Sequence, residues 1–159
     1  MKFPRTIRLD GSDLNVFPLP AEPNEWAVTG TFAFADADPA ALSNKEQLAF
    51  KSGWLGTDSF GRSTFVQVAV IPDEHFEDVV RRVAAHLRER YGAPDMLAAV
   101  EAARAEAEYT SDLCDHPAGT LLAIAREFTE DGVAERIRVI PPNDEGAHAR
   151  IWSVVADDG

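Results

Sequence analysis

The sequence predicts one α+β domain, with a mainly antiparallel sheet of about six or seven strands carrying two central helices on one face. Apolar residues alternate with a period of two in the first and last thirds of the chain, and recur at helical spacing between them. The 159-residue length suits a single domain. We place a β-rich part at 1–72, the helix pair at 73–115 and a second β-rich part at 119–156, all within one domain spanning 1–159.

The first third of the chain is predicted to form strands interrupted by one loop. Short strands are expected at 6–10 and 14–17, before three prolines prevent regular pairing. Large and small residues alternate over 26–34, which predicts a half-buried strand. Residues 65–71 are apolar on both faces, as in the centre of a sheet, and Pro72 ends that strand.

The middle of the chain predicts two helices. Apolar residues follow helical spacing over 76–91, with acidic residues at the start and arginines at the end, which suits the helix dipole. Gly92 ends this helix, and Pro94 opens an alanine-rich one that runs to about Leu113. Alanine packs closely but buries little area, so larger side chains are needed as anchors. The expected anchors are Met96, Leu97, Val100, Tyr109 and Leu113.

The last third returns to strands. Segments 121–130 and 133–140 flank Asp131-Gly132, a strong hairpin signal, and a further strand is expected at 151–155. These strands follow one another through short turns, which favours antiparallel pairing.

One charged pair on this hairpin is a candidate site. A two-residue turn at Asp131-Gly132 pairs Arg126 with Ile137 and places Arg126 and Glu135 on the apolar face as diagonal neighbours. Half-buried charges need each other or an ionic ligand. The plainer interpretation places the pair near the exposed hairpin tip, with its long side chains reaching past the edge of the core.

Charge gives the leading functional hypothesis. The chain has 15 Lys+Arg and 27 Asp+Glu, a formal net charge of −12, which disfavours nucleic acid and anionic membrane surfaces as partners. Residues 93–159 hold five of the cations and fourteen of the anions. We therefore expect a non-catalytic binding or accessory protein whose acidic surface faces a basic protein partner. Simple solubility is the alternative explanation of the acidity.

Other sequence features bear on the compartment. No secretory signal and no bilayer-spanning apolar run is recognisable, so we expect a cytoplasmic protein. Cys114 is the only cysteine, which excludes an intramolecular disulfide and fits a reducing environment. A homo-oligomer is compatible with the sequence.

Residues 51–64 support a second hypothesis, an anionic-ligand binding protein or enzyme. The segment holds three glycines, two aromatic residues and two cations, a mixture typical of ligand loops. We name Lys51 and Arg62 as candidates to hold a carboxylate or phosphate, and Trp54 as a stacking platform. Arg126 and Glu135 complete the candidate ligand-binding set. A nucleotide phosphate loop is rejected, because a strand rather than a helix follows. The plainer interpretation is a connection whose aromatic residues cap the core.

Cys114 and His116 support a third hypothesis, a metal or thiol site, because thiolate and imidazole ligate transition metals. Their spacing is short for a structural zinc site, and a helix end with neighbouring carboxylates disfavours the thiolate. We favour a buried cysteine followed by a helix stop. His75 and His86 lie about 16 Å apart along one helix, too far for one centre, and are interpreted as surface or boundary residues. We name no catalytic residue and no cofactor.

Three stretches resemble those of a family of small uncharacterised proteins from α-proteobacteria. They are Phe50-Lys51-Ser52-Gly53-Trp54-Leu55-Gly56, Phe60-Gly61-Arg62-Ser63-Thr64-Phe65-Val66 and Asp112-Leu113-Cys114-Asp115-His116-Pro117. The resemblance covers most of the chain. It implies a bacterial cytoplasmic origin and carries no activity, so it assigns no catalytic residue.

Overall fold

The structure is a computed structural model that describes residues 1–9 and 11–142. It confirms the α+β class: within these ranges, seven strands form two antiparallel sheets, accompanied by four α-helices and two 3₁₀ turns. In chain order the elements are β1 (Lys2–Ile7), α1 (Asp13–Val16), β2 (Ala27–Val28), 3₁₀ turns at Thr31–Phe34 and Pro39–Ala41, α2 (Asn44–Ser52), β3 (Trp54–Gly56), β4 (Arg62–Ser63), β5 (Phe65–Val70), α3 (Asp73–Arg90), α4 (Met96–Leu113), β6 (Leu121–Thr129) and β7 (Gly132–Ile140).

The main sheet has the strand order β1-β5-β6-β7. β5 lies inside it, as its two apolar faces predicted, pairing with β1 on one side and β6 on the other. Val66 and Val68 of β5 pack with Leu122 and Ile124 of β6 in one buried cluster. A smaller sheet, β2-β3-β4, lies beside the main sheet and is joined to it by a bridge between Arg5 and Trp26.

The two predicted helices form, but the second is anchored differently from the prediction. Ala99, Ala103 and Ala107 of α4 are fully buried in the cluster that contains the apolar side of α3. Met96, Leu97 and Tyr109, three of the expected anchors, are instead exposed. Close approach to α3 needs the small alanine face, so the larger side chains at the start of α4 point elsewhere. No helix in the described ranges combines the length and apolarity needed to cross a membrane.

Two strand predictions in the first third are wrong, and the strand expected at 6–10 is displaced to Lys2–Ile7. Residues 14–17 lie mostly in the short helix α1, and only Ala27–Val28 of the segment 26–34 is a strand. Gly30 has φ +76°, a left-handed conformation that stops the strand and leads into the first 3₁₀ turn. The alternation of large and small residues after Gly30 therefore reflects a helical turn packed on the core.

The segment around residues 44–64 has more regular structure than predicted. α2 begins with a capping box, in which the Ser43 hydroxyl accepts from the Glu46 N–H and the Glu46 carboxylate accepts from the Ser43 N–H. The segment 51–64, predicted as a loop, contains the end of α2 and the hairpin β3–β4. This hairpin brings Arg62 underneath the carboxyl end of α2.

The β6–β7 hairpin forms with a shifted register. Thr129 pairs with Gly132, so the turn residues are Glu130 and Asp131 rather than Asp131-Gly132. The Thr129 hydroxyl accepts from the Asp131 N–H, and this local bond stabilises the turn at its observed position. Because the shift is by two residues, the predicted face is kept and the pairing partners change. The strand expected at 151–155 lies outside the described residues.

Candidate functional site

Two buried arginines meet at one backbone carbonyl. Arg62 of β4 and Arg126 of β6 are 7% and 5% exposed, and each donates from Nη1 to the Gly53 oxygen, over 3.1 Å and 3.0 Å. Gly53 follows α2, so both guanidinium groups hold the carboxyl end of that helix. The structure thus brings together two candidates that the sequence placed in separate segments.

The N–H groups of Arg126 donate hydrogen bonds to groups inside the protein. Its Nη1 also donates to the Phe50 oxygen at 2.7 Å, its Nη2 donates to the Thr29 oxygen, and its Nε donates to the Thr31 hydroxyl at 2.7 Å. Burial lowers the pKa of Arg126 to about 10, and the nearby Glu135 carboxylate opposes that shift. Arg126 therefore remains charged at neutral pH. Its hydrogen bonds connect β6 to the carboxyl end of α2 and to the residue that follows β2.

Glu135 lies beside Arg126 instead of at an exposed tip. Its carboxylate accepts from the Thr31 hydroxyl and from the Tyr109 phenol, the latter over 2.7 Å. Burial, followed by the Glu135 hydrogen bond, raises the pKa of Tyr109 to about 12. The interpretation of Arg126 and Glu135 as an exposed hairpin-tip pair is therefore wrong, because the hairpin folds back over α2 and α4.

Arg62 differs from Arg126 because fewer of its guanidinium N–H groups donate to the protein. It makes one further hydrogen bond, from Nη2 to the Gly30 oxygen at 3.3 Å, and its guanidinium carbon lies 4.9 Å from the centre of the Phe34 ring. A guanidinium has five N–H donors, so two protein hydrogen bonds leave donors for another acceptor. Within the described residues, no carboxylate oxygen lies within 4.0 Å of the Arg62 nitrogens. Burial, then the charge of Arg126, lowers the pKa of Arg62 to about 9.

Arg62 lies in the wall of a cleft of about 580 Å³. Volumes of this order are typical of small-molecule sites. The walls come from the 3₁₀ turn with Phe34, the start and middle of α2, the β3–β4 hairpin with Phe60, and the end of α3 with His86 and Arg90. Most of the lining residues are apolar, and the charged ones include both cations, Arg62 and Arg90, and carboxylates, Glu46 and Glu89.

Aromatic rings form one side of the cleft. Phe60 and His86 are stacked with ring centres 3.9 Å apart and planes 5° apart, and the Tyr91 ring meets His86 edge-on at 5.4 Å. Burial, followed by the charges of Arg90 and Arg62, lowers the pKa of His86. The lowered pKa favours the neutral imidazole at pH 7, so His86 adds a third aromatic ring to this side of the cleft.

The other candidates from 51–64 do not join this cleft. Lys51 is exposed on α2 and borders a separate cleft of about 280 Å³, where Arg126 and Phe128 also lie. Trp54 is completely buried beside Val66, and its indole N–H has no acceptor among the described residues. The predicted grouping of Lys51, Trp54 and Arg62 is not assembled, because a helix end and an intervening strand turn the three side chains in different directions.

Comparison with known proteins gives a family. A family model described as a family of unknown function, DUF6505, matches residues 1–156. The chain belongs to DUF6505. No curated protein and no solved structure matched the chain. Membership confirms the resemblance to a family without an assigned activity, whereas the α-proteobacterial origin stays a prediction.

Cys114 of this DUF6505 chain is enclosed by apolar side chains. It is fully buried, and burial raises the pKa of its thiol to about 12. The adjacent His116 carbonyl accepts from the Lys2 ammonium at 2.7 Å. Across 1–9 and 11–142, no three His, Cys, Asp or Glu side chains are grouped as metal ligands. The surroundings of Cys114 are those of a core residue.

Among the residues that line this cleft, the sequence analysis proposed no ligand-binding role for Phe34, Phe60, His86, Arg90 or Tyr91. The interpretation of His86 as a surface or boundary histidine misses its stacking on Phe60, which is 26 positions away in the chain. The positive φ of Phe60, which marks its unusual position, is visible only once the backbone is known.

Proposed function

We propose that the protein binds a small anionic molecule in the cleft at Arg62. The observation that carries the proposal is a buried guanidinium with donors to spare, facing a cleft and without a carboxylate partner in the described chain. A buried cation costs free energy unless an anion or several dipoles compensate it. A carboxylate or phosphate on a ligand supplies that compensation, with paired hydrogen bonds to the planar guanidinium.

The charged and apolar residues that line the cleft support a ligand with one charged end and an apolar body. Arg62 and Arg90 are offset by Glu46 and Glu89 at the same cleft. Leu42, like most of the other lining residues, is apolar. The whole chain has a formal charge of −12, so long-range attraction disfavours anions and recognition must come from contacts at Arg62.

The acidic surface remains a weaker proposal. Glu101, Glu108 and Asp112 are exposed on α4, and they suit the expected basic protein partner. Such carboxylates are equally typical of a solvated helix face. Arg62, by contrast, is buried with free donors at a cleft, and this favours the anionic ligand.

The test measures the binding of phenylacetate, octanoate and phenyl phosphate to the whole chain by calorimetry at pH 7. At least one is expected to bind, and Arg62→Gln should weaken that binding at least tenfold, about 1.4 kcal/mol. Arg136→Gln, on an exposed β7 residue outside the cleft, should leave binding unchanged. Absence of binding by all three compounds, or equal binding by Arg62→Gln, contradicts the proposal.

A second pair of variants covers the case in which Arg62→Gln does not fold. Leu19 and Leu14 are exposed to similar extents, 51% and 53%, but only Leu19 lines the cleft. Leu19→Trp should obstruct the cleft and weaken binding, whereas Leu14→Trp should not. Equal affinities of the two tryptophan variants contradict this location of the site.

A further inference from the structure

We infer that the ligand of this cleft is an aromatic carboxylate, a flat ring carrying a single carboxylate group. The inference rests on the proposed anion site and names the class of molecule that the site takes. Three features point to it: the fixed position of the Phe60 ring, the aromatic side of the cleft, and the mixed charges of the cleft lining.

The Phe60 ring is held in place by an unusual hairpin. Phe60 has φ +56°, a left-handed conformation that is costly for a bulky side chain. The buried Glu25 carboxylate holds the preceding residues, accepting from the N–H groups of Asp58 and Ser59 at 2.8 Å each and from the Ser59 hydroxyl at 2.5 Å. Gly61 follows, packed so closely on the Pro20 carbonyl that a side chain there is excluded.

This frame directs Phe60 towards His86 at the cleft. The ring packs against the core cluster and His86, which offsets the strain, and local strain of this kind is concentrated at binding sites. A ring held before the ligand arrives loses little entropy on binding. The hairpin therefore supplies a preorganised aromatic contact within the same cleft as Arg62.

The aromatic side favours a flat ligand ring over an aliphatic chain. Phe60, the neutral His86 and Tyr91 line the cleft with stacked and edge-on contacts already formed between them. Aromatic pairs in such geometries gain interaction energy beyond the area that they bury. Arg62, which lies over the Phe34 ring at 4.9 Å, sets a cationic group next to that aromatic surface.

The charges favour a monoanion over a phosphate. The cleft lies at the carboxyl end of α3, where Glu89 and Arg90 line it, and the negative end of a helix dipole repels a dianion. Phosphate sites usually supply several backbone N–H groups or a helix amino end. Here the planar guanidinium of Arg62 is the buried donor group, and its shape matches a carboxylate.

The test compares phenylacetate, cyclohexylacetate and phenyl phosphate by calorimetry with the whole chain at pH 7. Phenylacetate is expected to bind about threefold to tenfold tighter than cyclohexylacetate, the range that one aromatic contact supports. Phenyl phosphate should bind more weakly than phenylacetate. Phe60→Leu should weaken the binding of phenylacetate more than that of cyclohexylacetate, and so remove the preference for the aromatic ring. Phe65→Leu, a half-buried phenylalanine of β5 outside this cleft, is the matched control and should keep the preference.

A spectroscopic measurement on the unaltered protein covers the case in which Phe60→Leu does not fold. Phenylacetate should shift the NMR signals of the His86 ring protons through its ring current, and cyclohexylacetate should shift them much less. Equal affinities for the two carboxylates, with binding still weakened by Arg62→Gln, overturn the aromatic class and leave the anion site standing. Tighter binding of phenyl phosphate overturns the carboxylate assignment. Absence of binding by every compound overturns the proposed function, and this inference with it.

Discussion

Arg126 and Glu135 lie directly opposite each other on β6 and β7, with the guanidinium Nε 3.5 Å from a carboxylate oxygen. The side chain of Arg126 is fully buried and that of Glu135 is 12% exposed. This pair keeps the β6–β7 hairpin packed against α2, because Arg126 also donates hydrogen bonds to the Phe50 and Gly53 carbonyls.

Loss of Arg126 should therefore be costly. Arg126→Met leaves the buried Thr29, Phe50 and Gly53 carbonyls short of a donor and Glu135 without its cation, so the free energy of unfolding should fall by about 3–5 kcal/mol. Urea denaturation measures this change. Arg136→Met, on the exposed face of β7, should change stability by no more than about 0.5 kcal/mol. A loss below about 1 kcal/mol for Arg126→Met shows that the pair does not hold the hairpin.

Gly30 should tolerate alanine much less well than Gly92. Both have left-handed φ values, +76° and +73°, so the backbone penalty of alanine is shared. A Cβ at Gly30 would lie 2.5 Å from Leu55 Cβ and 2.8 Å from Arg62 Nη1, whereas one at Gly92 meets no atom within 4 Å. Gly30→Ala should be about 1–3 kcal/mol more destabilising than Gly92→Ala in thermal or urea unfolding. Equal losses would mean that the turn at Gly30 is loosely packed.

His86 should make stability depend on pH. Burial and the Arg90 and Arg62 charges lower its pKa in the folded protein below the ordinary value of 6.5, Glu89 opposes them, and the unfolded chain binds the proton first. As the pH falls through 6.5, the unfolded state therefore gains protons that the folded state lacks, and the free energy of unfolding decreases. His86→Phe should remove this part of the decrease and leave a constant difference from the native protein above pH 7.5. If the free energies of unfolding of the native protein and of His86→Phe differ by the same amount at all pH values, the prediction is contradicted.

Cys114 should react only when the protein unfolds. Its thiol is buried and has a pKa of about 12, so a thiol reagent at pH 8 should modify the folded protein at the rate of opening. In concentrated guanidinium chloride the same thiol should react at the rate of an ordinary free cysteine. Fast, stoichiometric labelling of the folded protein would revive the thiol-site hypothesis.

Local patterns identified most of the regular elements. The helical spacing over 76–91, the alanine-rich segment and the apolar segment 65–71 predicted α3, α4 and β5, because each pattern reflects which face of one element is buried. α2 also has a local signal, the Ser43–Glu46 capping box, which the sequence interpretation overlooked. The register of the β6–β7 hairpin was missed by two residues, since neighbouring turn residues offered competing turns.

The sequence by itself determined the α+β class, the helix pair, the central strand and the shared face of Arg126 and Glu135. The tertiary structure alone decided that Arg62 meets Arg126 at Gly53, that Trp54 is buried, and that Phe60 stacks on His86. The physical reason is the separation along the chain of the residues that come into contact. Periodicity records burial within one element, whereas the cleft joins a 3₁₀ turn, α2, a hairpin and the end of α3, whose approach depends on the packing of the whole core.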